Sequence, residues 1–210
     1  MKEIKTGTTT MVIMCKDGIV VAADRRATAG NIIANKDCPK IYELSDKMLL
    51  TVAGTVSDIQ LLIKIARAQI KLMKVRTGRD VTNKEAANLL AGMVYSNIRK
   101  FSLIPGISQF LLGGMDNEGF HIYEINFDGS VMPIEDYVSS GSGSDMVYGV
   151  LETLYKKDMS VNDCVQLAAK GLNAAIQRDS ASGSGFDIMT VTKEGLKKVA
   201  AKKLQFKVEL

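Results

Sequence analysis

The chain has 210 residues, 46% of them hydrophobic and 24% charged, with a formal net charge of +4. That length and balance describe a globular chain able to bury a sizeable core, on the scale of one large domain. The mild charge without a dense Lys/Arg run and the 6% aromatic content without Trp argue against nucleic-acid recognition, and no apolar run reaches the length of a membrane-spanning helix.

The chain opens MKEIKTGTTTMVIMCKDG. Thr8, Thr9 and Thr10 are β-branched and suit the start of a strand. TTTMVIMC and GIVVAAD are apolar, β-rich runs on either side of Lys16-Asp17-Gly18, a tight-turn signal. KIYEL and KMLLTVAG follow as strands joined around Ser45-Asp46. From Asp58 to Lys74 the period becomes helical, with Gln60, Lys64, Arg67, Lys71 and Lys74 as a polar stripe. The other faces are almost wholly apolar, so this helix is expected to be covered by its own sheet on one side and by a neighbouring subunit on another. A second helix begins at the capping box Thr82-Asn83-Lys84-Glu85, with Leu90, Met93, Val94, Ile98 and Phe101 as its apolar face. Pro105-Gly106 ends it. SQFLLGGM and FHIYEI return to strand, separated by Asp116 to Gly119 and followed by the turn Asn126 to Gly129. Helices are expected from about 144 to 156 and from Ser160, capped with Asp163, to about Arg178. The second of these carries Val165, Ala168, Leu172, Ala175 and Ile176 as its stripe. FDIMTVT and the run from Leu196 supply the last strands around Lys193-Glu194-Gly195.

Strands, two helices, strands, two helices, strands: this order implies antiparallel sheets covered by segregated helix pairs, an α+β chain rather than alternating βαβ units. Two sheets face to face with a helix layer outside each would bury every apolar face named.

Cys15, Cys38 and Cys164 are odd in number and widely spaced, which fits a reducing cytoplasm better than a disulfide framework. No pair has zinc-site spacing, the single histidine excludes a His-rich cluster, and no cofactor is expected. The first seven residues lack the apolar segment of a secretory signal. His121 alternates with its neighbours in FHIYEI and reads as a structural histidine. An enzyme built on this chain would therefore use a different base.

Thr8 offers one. If the Gly7–Thr8 bond is cut, Thr8 carries a hydroxyl and a free α-amine. That amine has a reference pKa of roughly 7.7–8.0 against about 10.4 for a lysine, so it can accept a proton near neutral pH. Nucleophile and base would then share one residue. Gly7, without a Cβ, permits a tight bend that aims the Thr8 hydroxyl at the Gly7 carbonyl. Taken alone, GTTT still favours the plain strand start.

Other stretches join it: ADRRAT ends an apolar strand, CPKIYEL puts Lys40 at a strand start, TVAGT puts Gly54 before a helix. SSGSGSDMVYGVLE puts a Gly/Ser loop before a helix N-terminus, and RDSASGSGFDI leaves another helix with Asp179, Ser180 and Ser182. In this order and spacing they closely resemble the β subunits of the 20S proteasome, the simple archaeal type above all, from Thr8 to the C-terminal strands. The resemblance implies the N-terminal-nucleophile (Ntn) hydrolase fold, a four-layer αββα sandwich of two antiparallel sheets between helix layers. It also implies an autocleaved prosequence over residues 1–7 and a single catalytic domain over 8–210.

By the same resemblance Thr8 matches the threonine exposed by autolysis at Gly7-Thr8, Lys40 the neighbouring lysine, and Asp24 the acid that holds this lysine charged. Ser142, Asp179 and Ser182 match the network around the threonine amine, and Gly54 the oxyanion donor, a group whose loss costs about 10²–10³ in rate. Thr28 and Gly54 match the edges of a channel where an extended peptide adds as a strand. Ala27, Cys38, Val52, Val56 and Gln60 match the pocket lining. None carries a full charge, which implies cleavage after apolar residues.

The implied activity is threonine-type endopeptidase action on peptides and unfolded proteins. The implied partners are other β subunits in a heptameric ring, an α-subunit ring and, indirectly, an ATPase cap, in the cytoplasm. The alternatives are a non-catalytic ring scaffold, which would be expected to lose Thr8, Lys40 or the Gly7-Thr8 junction, and a related two-ring bacterial-type protease. Nucleotide binding at GSGSD is disfavoured, because GxxxxGK[ST] is missing and Asp145 would repel an anion.

Overall fold

A computed structural model describes residues 7–103 and 105–204. Of the expected prosequence only Gly7 falls among them; positions 1–6 lie outside the described residues.

The first hairpin is β1 (Thr10–Cys15) and β2 (Gly18–Asp24), reversed at Lys16-Asp17. Between them and the next hairpin, β5 (Ile41–Ser45) and β6 (Met48–Gly54), stands a short ribbon of β3 (Ala27–Ala29) and β4 (Ile32–Asn35). The helices α1 (Val56–Thr77) and α2 (Asn83–Ile98) follow, then β7 (Ser108–Asp116), β8 (Gly119–Ile125), β9 (Val131–Ile134) and β10 (Tyr137–Ser140). The helices α3 (Ser144–Leu154) and α4 (Val161–Arg178) precede the last hairpin, β11 (Gly185–Thr192) and β12 (Gly195–Lys203).

Two five-stranded sheets result, in the orders β10-β1-β2-β11-β12 and β5-β6-β7-β8-β9. Every neighbouring pair is antiparallel. Three apolar cores separate four layers. Val12, Val21, Leu49, Leu111, Ile122 and Val191 fill the space between the sheets. Leu50, Phe110 and Leu112 meet Ile59, Ile63, Leu90 and Val94 of α1 and α2. Met11, Ile13, Val20 and Ala22 meet Val147, Leu151, Leu167 and Leu172 of α3 and α4. Alternation along β1 sends Met11 and Ile13 to one face and Val12 to the other, so a single strand serves two cores. This is the four-layer sandwich the sequence implied.

The capping box at Thr82 is present, with Glu85 reaching back to the Thr82 N–H at 2.9 Å. Its helix stripe differs from expectation. Asn83, Ala86, Ala87, Leu90, Ala91 and Val94 are buried, whereas Phe101 lies beyond the helix end and is fully exposed. Alanines let α2 approach its sheet closely, and the pattern of large residues hid that contact. Along α4 the buried stripe is Cys164, Leu167, Ala168, Gly171, Leu172 and Ala175; Val165 and Ile176 sit half-buried at its margin.

The β3–β4 ribbon and strands β9 and β10 carried no sequence expectation. They are three or four residues long, β3–β4 is largely exposed, and β9 holds Pro133 at a sheet edge where a missing N–H is tolerated. Helix α1 buries Ile59, Leu62, Ile63, Ala66 and Ile70 against the sheet. Its flank of Leu61, Ile65, Leu72 and Val75 stands exposed, as its broad apolar pattern foretold. His121 lies 3.3 Å from an Asp116 carboxylate oxygen and stacks on Tyr123. No described helix is long and apolar enough to cross a membrane.

Candidate active site

Four strand ends converge on Thr8. It stands just before β1; Asp24 ends β2, Gly54 ends β6, and the loop from α4 into β11 brings Asp179 and Ser182. The Gly141-Ser142-Gly143 loop closes over them from β10.

Asp24 is the hub. One carboxylate oxygen accepts from Thr9 N–H at 2.9 Å and from Lys40 Nζ at 2.6 Å. The other accepts from the N–H groups of Arg26 and Gly183, each at 3.0 Å. A carboxylate only 1% exposed is tolerable because all four contacts are donors. Lys40 is equally enclosed, at 5% exposure. Burial pushes its ammonium below the usual lysine value, and the charge and hydrogen bond of Asp24 oppose that fall.

The Lys40 ammonium has a second contact, donating to the Gly7 carbonyl oxygen at 3.3 Å. The Thr8 hydroxyl donates to the same oxygen at 2.7 Å. A hydroxyl and a cation thus converge on the one carbonyl that separates residues 1–7 from the rest. The Gly7 N–H is held by the Thr28 hydroxyl at 2.9 Å.

On the far side the Thr8 N–H donates to Ser142 Oγ at 3.3 Å. Ser142 and Ser182 each donate to the same Asp179 oxygen at 2.6 Å. Ser182 Oγ lies 2.6 Å from Thr9 Oγ1; with its own proton committed to Asp179, it accepts the Thr9 proton. Ser182 therefore reaches Thr9, the neighbour of Thr8, while Ser142 touches Thr8 itself. The glycines beside Ser142 are required by close approach. A Cβ on Gly141 would overlap the Thr8 carbonyl, and one on Gly143 the Thr9 hydroxyl.

A Cβ on Gly7 would overlap that of Ala181 and come within 2.7 Å of its Cα and carbonyl oxygen. Gly7 is thus required by a close neighbour. The Thr8 hydroxyl is aimed at the Gly7 carbonyl oxygen, at 2.7 Å, and the packing against Ala181 is a second reason for glycine here.

A cleft of about 270 Å³ opens beside Gly7 and Thr8. Ala27, Thr28, Cys38, Lys40, Val52, Gly54 and Val56 line it. Gln60 does not: it is exposed on α1, turned about 100° from the cleft-lining Ile59. Pro39, Tyr42, Thr55 and Ile59 line the cleft without having been singled out from the sequence. A period-two reading from Lys40 along KIYEL would have found Tyr42.

Among the described residues lining this space, the one formal charge is that of Lys40, which Asp24 answers. A cavity of about 310 Å³ at the opposite end, beside Lys47, Lys74 and Asp80, has both of these lysines committed to Asp80. Among the described residues no group of three or more His, Cys, Asp or Glu side chains could hold a metal ion.

Comparison with known proteins gives a concordant result. The sequence profile of the family described as "Proteasome subunit" matches residues 4–191. A proteasome subunit beta of Archaeoglobus profundus is 42% identical over 193 residues, covering 92% of this chain and 88% of the relative. That of Ferroglobus placidus is 40% identical over 192 residues, covering 91% and 90%. That of Methanocaldococcus fervens is 38% identical over 196 residues, covering 93% and 86%.

Proposed function

The chain belongs to the proteasome subunit family, among its β subunits, and from that premise we propose that it is a threonine endopeptidase of the 20S core with the Thr8 hydroxyl as nucleophile. One observation carries the reading: Thr8 Oγ1 lies 2.7 Å from the Gly7 carbonyl oxygen, and Lys40 donates to the same atom.

The first reaction is on the chain itself. Thr8 Oγ attacks the Gly7 carbonyl carbon, and Lys40 stabilises the negative charge that builds on its oxygen. The Gly7 C–Thr8 N bond breaks as the Gly7 C–Thr8 Oγ ester remains, and the hydroxyl proton ends on the nitrogen. Water then hydrolyses the ester, releasing residues 1–7 with a Gly7 carboxylate and leaving Thr8 with a free hydroxyl and amine. The catalytic domain is then 8–210.

Turnover repeats the attack on a peptide carbonyl, with the new amine as base. Burial lowers the proton affinity of Lys40, and the charge and hydrogen bond of Asp24, itself held by three backbone N–H groups, oppose that fall. The Lys40 charge disfavours protonation of the adjacent amine, which keeps it available as base near neutral pH. Ser142, Asp179 and Ser182 supply the hydrogen-bonded wall on which the amine is oriented, and the Gly54 N–H completes the oxyanion site. The threonine methyl limits χ1 and so the directions the hydroxyl can take.

The cleft wall of Ala27, Cys38, Tyr42, Val52 and Val56 favours cleavage after apolar residues. The exposed apolar flank of α1 is assigned to neighbouring subunits in a heptameric β ring stacked on an α ring, fed with unfolded chains by an ATPase cap in the cytoplasm. The direct test is intact mass after assembly. A loss corresponding to Met1–Gly7 on active particles is the expected result; full activity with those residues still attached on every copy overturns it.

A further inference from the structure

The segment that meets Gly7 is held too firmly to yield. Ala181 lies in the loop between α4 and β11, and its own N–H donates to Asp179 Oδ1 at 3.1 Å. On one side Arg26 donates to the Ser180 carbonyl at 2.8 Å. On the other, the Ser182 N–H donates to the Asp179 carbonyl at 3.2 Å, and the Gly183 N–H to Asp24 at 3.0 Å. Gly7 is fixed as well. Its N–H is on Thr28, and its carbonyl receives Thr8 and Lys40. Neither partner can move away from a new methyl group without breaking bonds that belong to the site.

We propose that Ala181 is a positioning residue for self-cleavage, a gauge whose methyl group lies against the Gly7 Cα and restricts the cleaved junction to one preceded by glycine. The proposal rests on the reading of Thr8 as self-cleaving nucleophile. It has a consequence for turnover. An L-residue placed in the pose of Gly7 would drive its Cβ into Ala181. A peptide substrate must therefore present its carbonyl from a different backbone orientation, one that turns the side chain toward Ala27, Cys38 and Val52. The chain's own junction and its substrates reach the same hydroxyl by two poses, and Ala181 bears on the first.

The experiment follows loss of residues 1–7 by intact mass over time in assembled particles of four forms: wild type, Gly7→Ala, Ala181→Gly, and the double variant. Overpacking by one Cβ against fixed neighbours should slow Gly7→Ala by about tenfold to a hundredfold. Ala181→Gly removes the closest overlap but leaves the residue-181 Cα and carbonyl oxygen within 2.7 Å of the added Cβ, so the double variant should recover part of the loss and process at least about threefold faster than Gly7→Ala alone. A merely structural role for Ala181 cannot produce that rescue. A double variant as slow as Gly7→Ala, or a Gly7→Ala chain processed at the wild-type rate, overturns the gauge while wild-type processing leaves the Thr8 reading standing. A wild-type particle that never sheds residues 1–7 overturns both.

Discussion

At the end of the sandwich away from Thr8, strands reverse through short turns whose polar residues mostly face water: Lys16-Asp17, Asp46-Lys47, Asn117-Glu118 and Lys193-Glu194. At the Thr8 end the polar residues are inside. Thr8, Thr9, Asp24, Lys40 and Ser182 are all buried, and they come from segments up to 173 residues apart in contact. The first end is made by local chemistry, one turn at a time. The second exists only when both sheets and the α4 loop are in place, and each of its polar groups is tolerable because another answers it. Damage at the first end should therefore cost stability and spare chemistry. Damage at the second should do the reverse wherever the remaining partners keep the buried groups satisfied.

Thr8→Ala tests this contrast hardest. It removes one hydroxyl and is expected to abolish both prosequence loss and peptide hydrolysis in an otherwise folded particle; intact mass and a fluorogenic apolar peptide report the two. Normal processing in that variant would end the self-cleavage mechanism. Lys40→Ala comes next, with kcat/KM expected to fall by about 10²–10³, the scale of losing one charge-stabilising donor. Asp24 keeps three N–H donors in its absence, so a cooperative melt should persist, and ordinary turnover would refute the electrostatic role of Lys40.

The pH profile sharpens the same point. In the proposed mechanism activity requires the Lys40 ammonium, whose folded value burial sets below the ordinary 10.5. Raising the pH through that lowered value removes the proton and the activity with it, so the alkaline limb should fall earlier than a free lysine would give. Asp24→Asn removes the partner that opposes the shift and should move the limb to still lower pH. A limb unmoved by that change would show that another group sets it. The smallest effect is expected at the turn end. Gly195 has φ +110° with open space around it, so Gly195→Ala should cost about 1–2 kcal/mol of stability through backbone strain alone, with kcat/KM unchanged.

The sequence was most legible where structure is local. The β1–β2 and β11–β12 turns, the Thr82 capping box and the Ser160 cap stand where short-range signals put them. The exposed flank of α1 was legible too, because too many apolar residues crowd one helix for a single sheet to cover. Short strands were not: β3, β4, β9 and β10 owe their pairing to distant partners, and Pro133 disguised one of them. The stripe of α2 was read in part: Leu90, Met93 and Val94 pack as expected, while the buried Ala86, Ala87 and Ala91 carry too little hydrophobic signal to stand out.

At the site, a pattern of linked motifs proposed Thr8, Asp24, Lys40, Ser142, Asp179 and Ser182, and the fold brings all six together. Tyr42 and Ile59 were missed, and Gln60 is not among the residues lining the described cleft, because cleft lining depends on helix phase and strand register. The packing reason for Gly7 was missed as well. The neighbour that demands it, Ala181, is 174 positions away and has no motif of its own.

If Thr8 opens this bond as proposed, the amide linking Gly7 to Thr8 gives every copy one unrepeatable start. Once it is opened, the carbonyl on which the hydroxyl was aligned has left, and nothing remains to return that copy to dormancy. The number of working sites in a cell would then track the supply of newly made chains, and silencing them would require a plug or the dismantling of the particle.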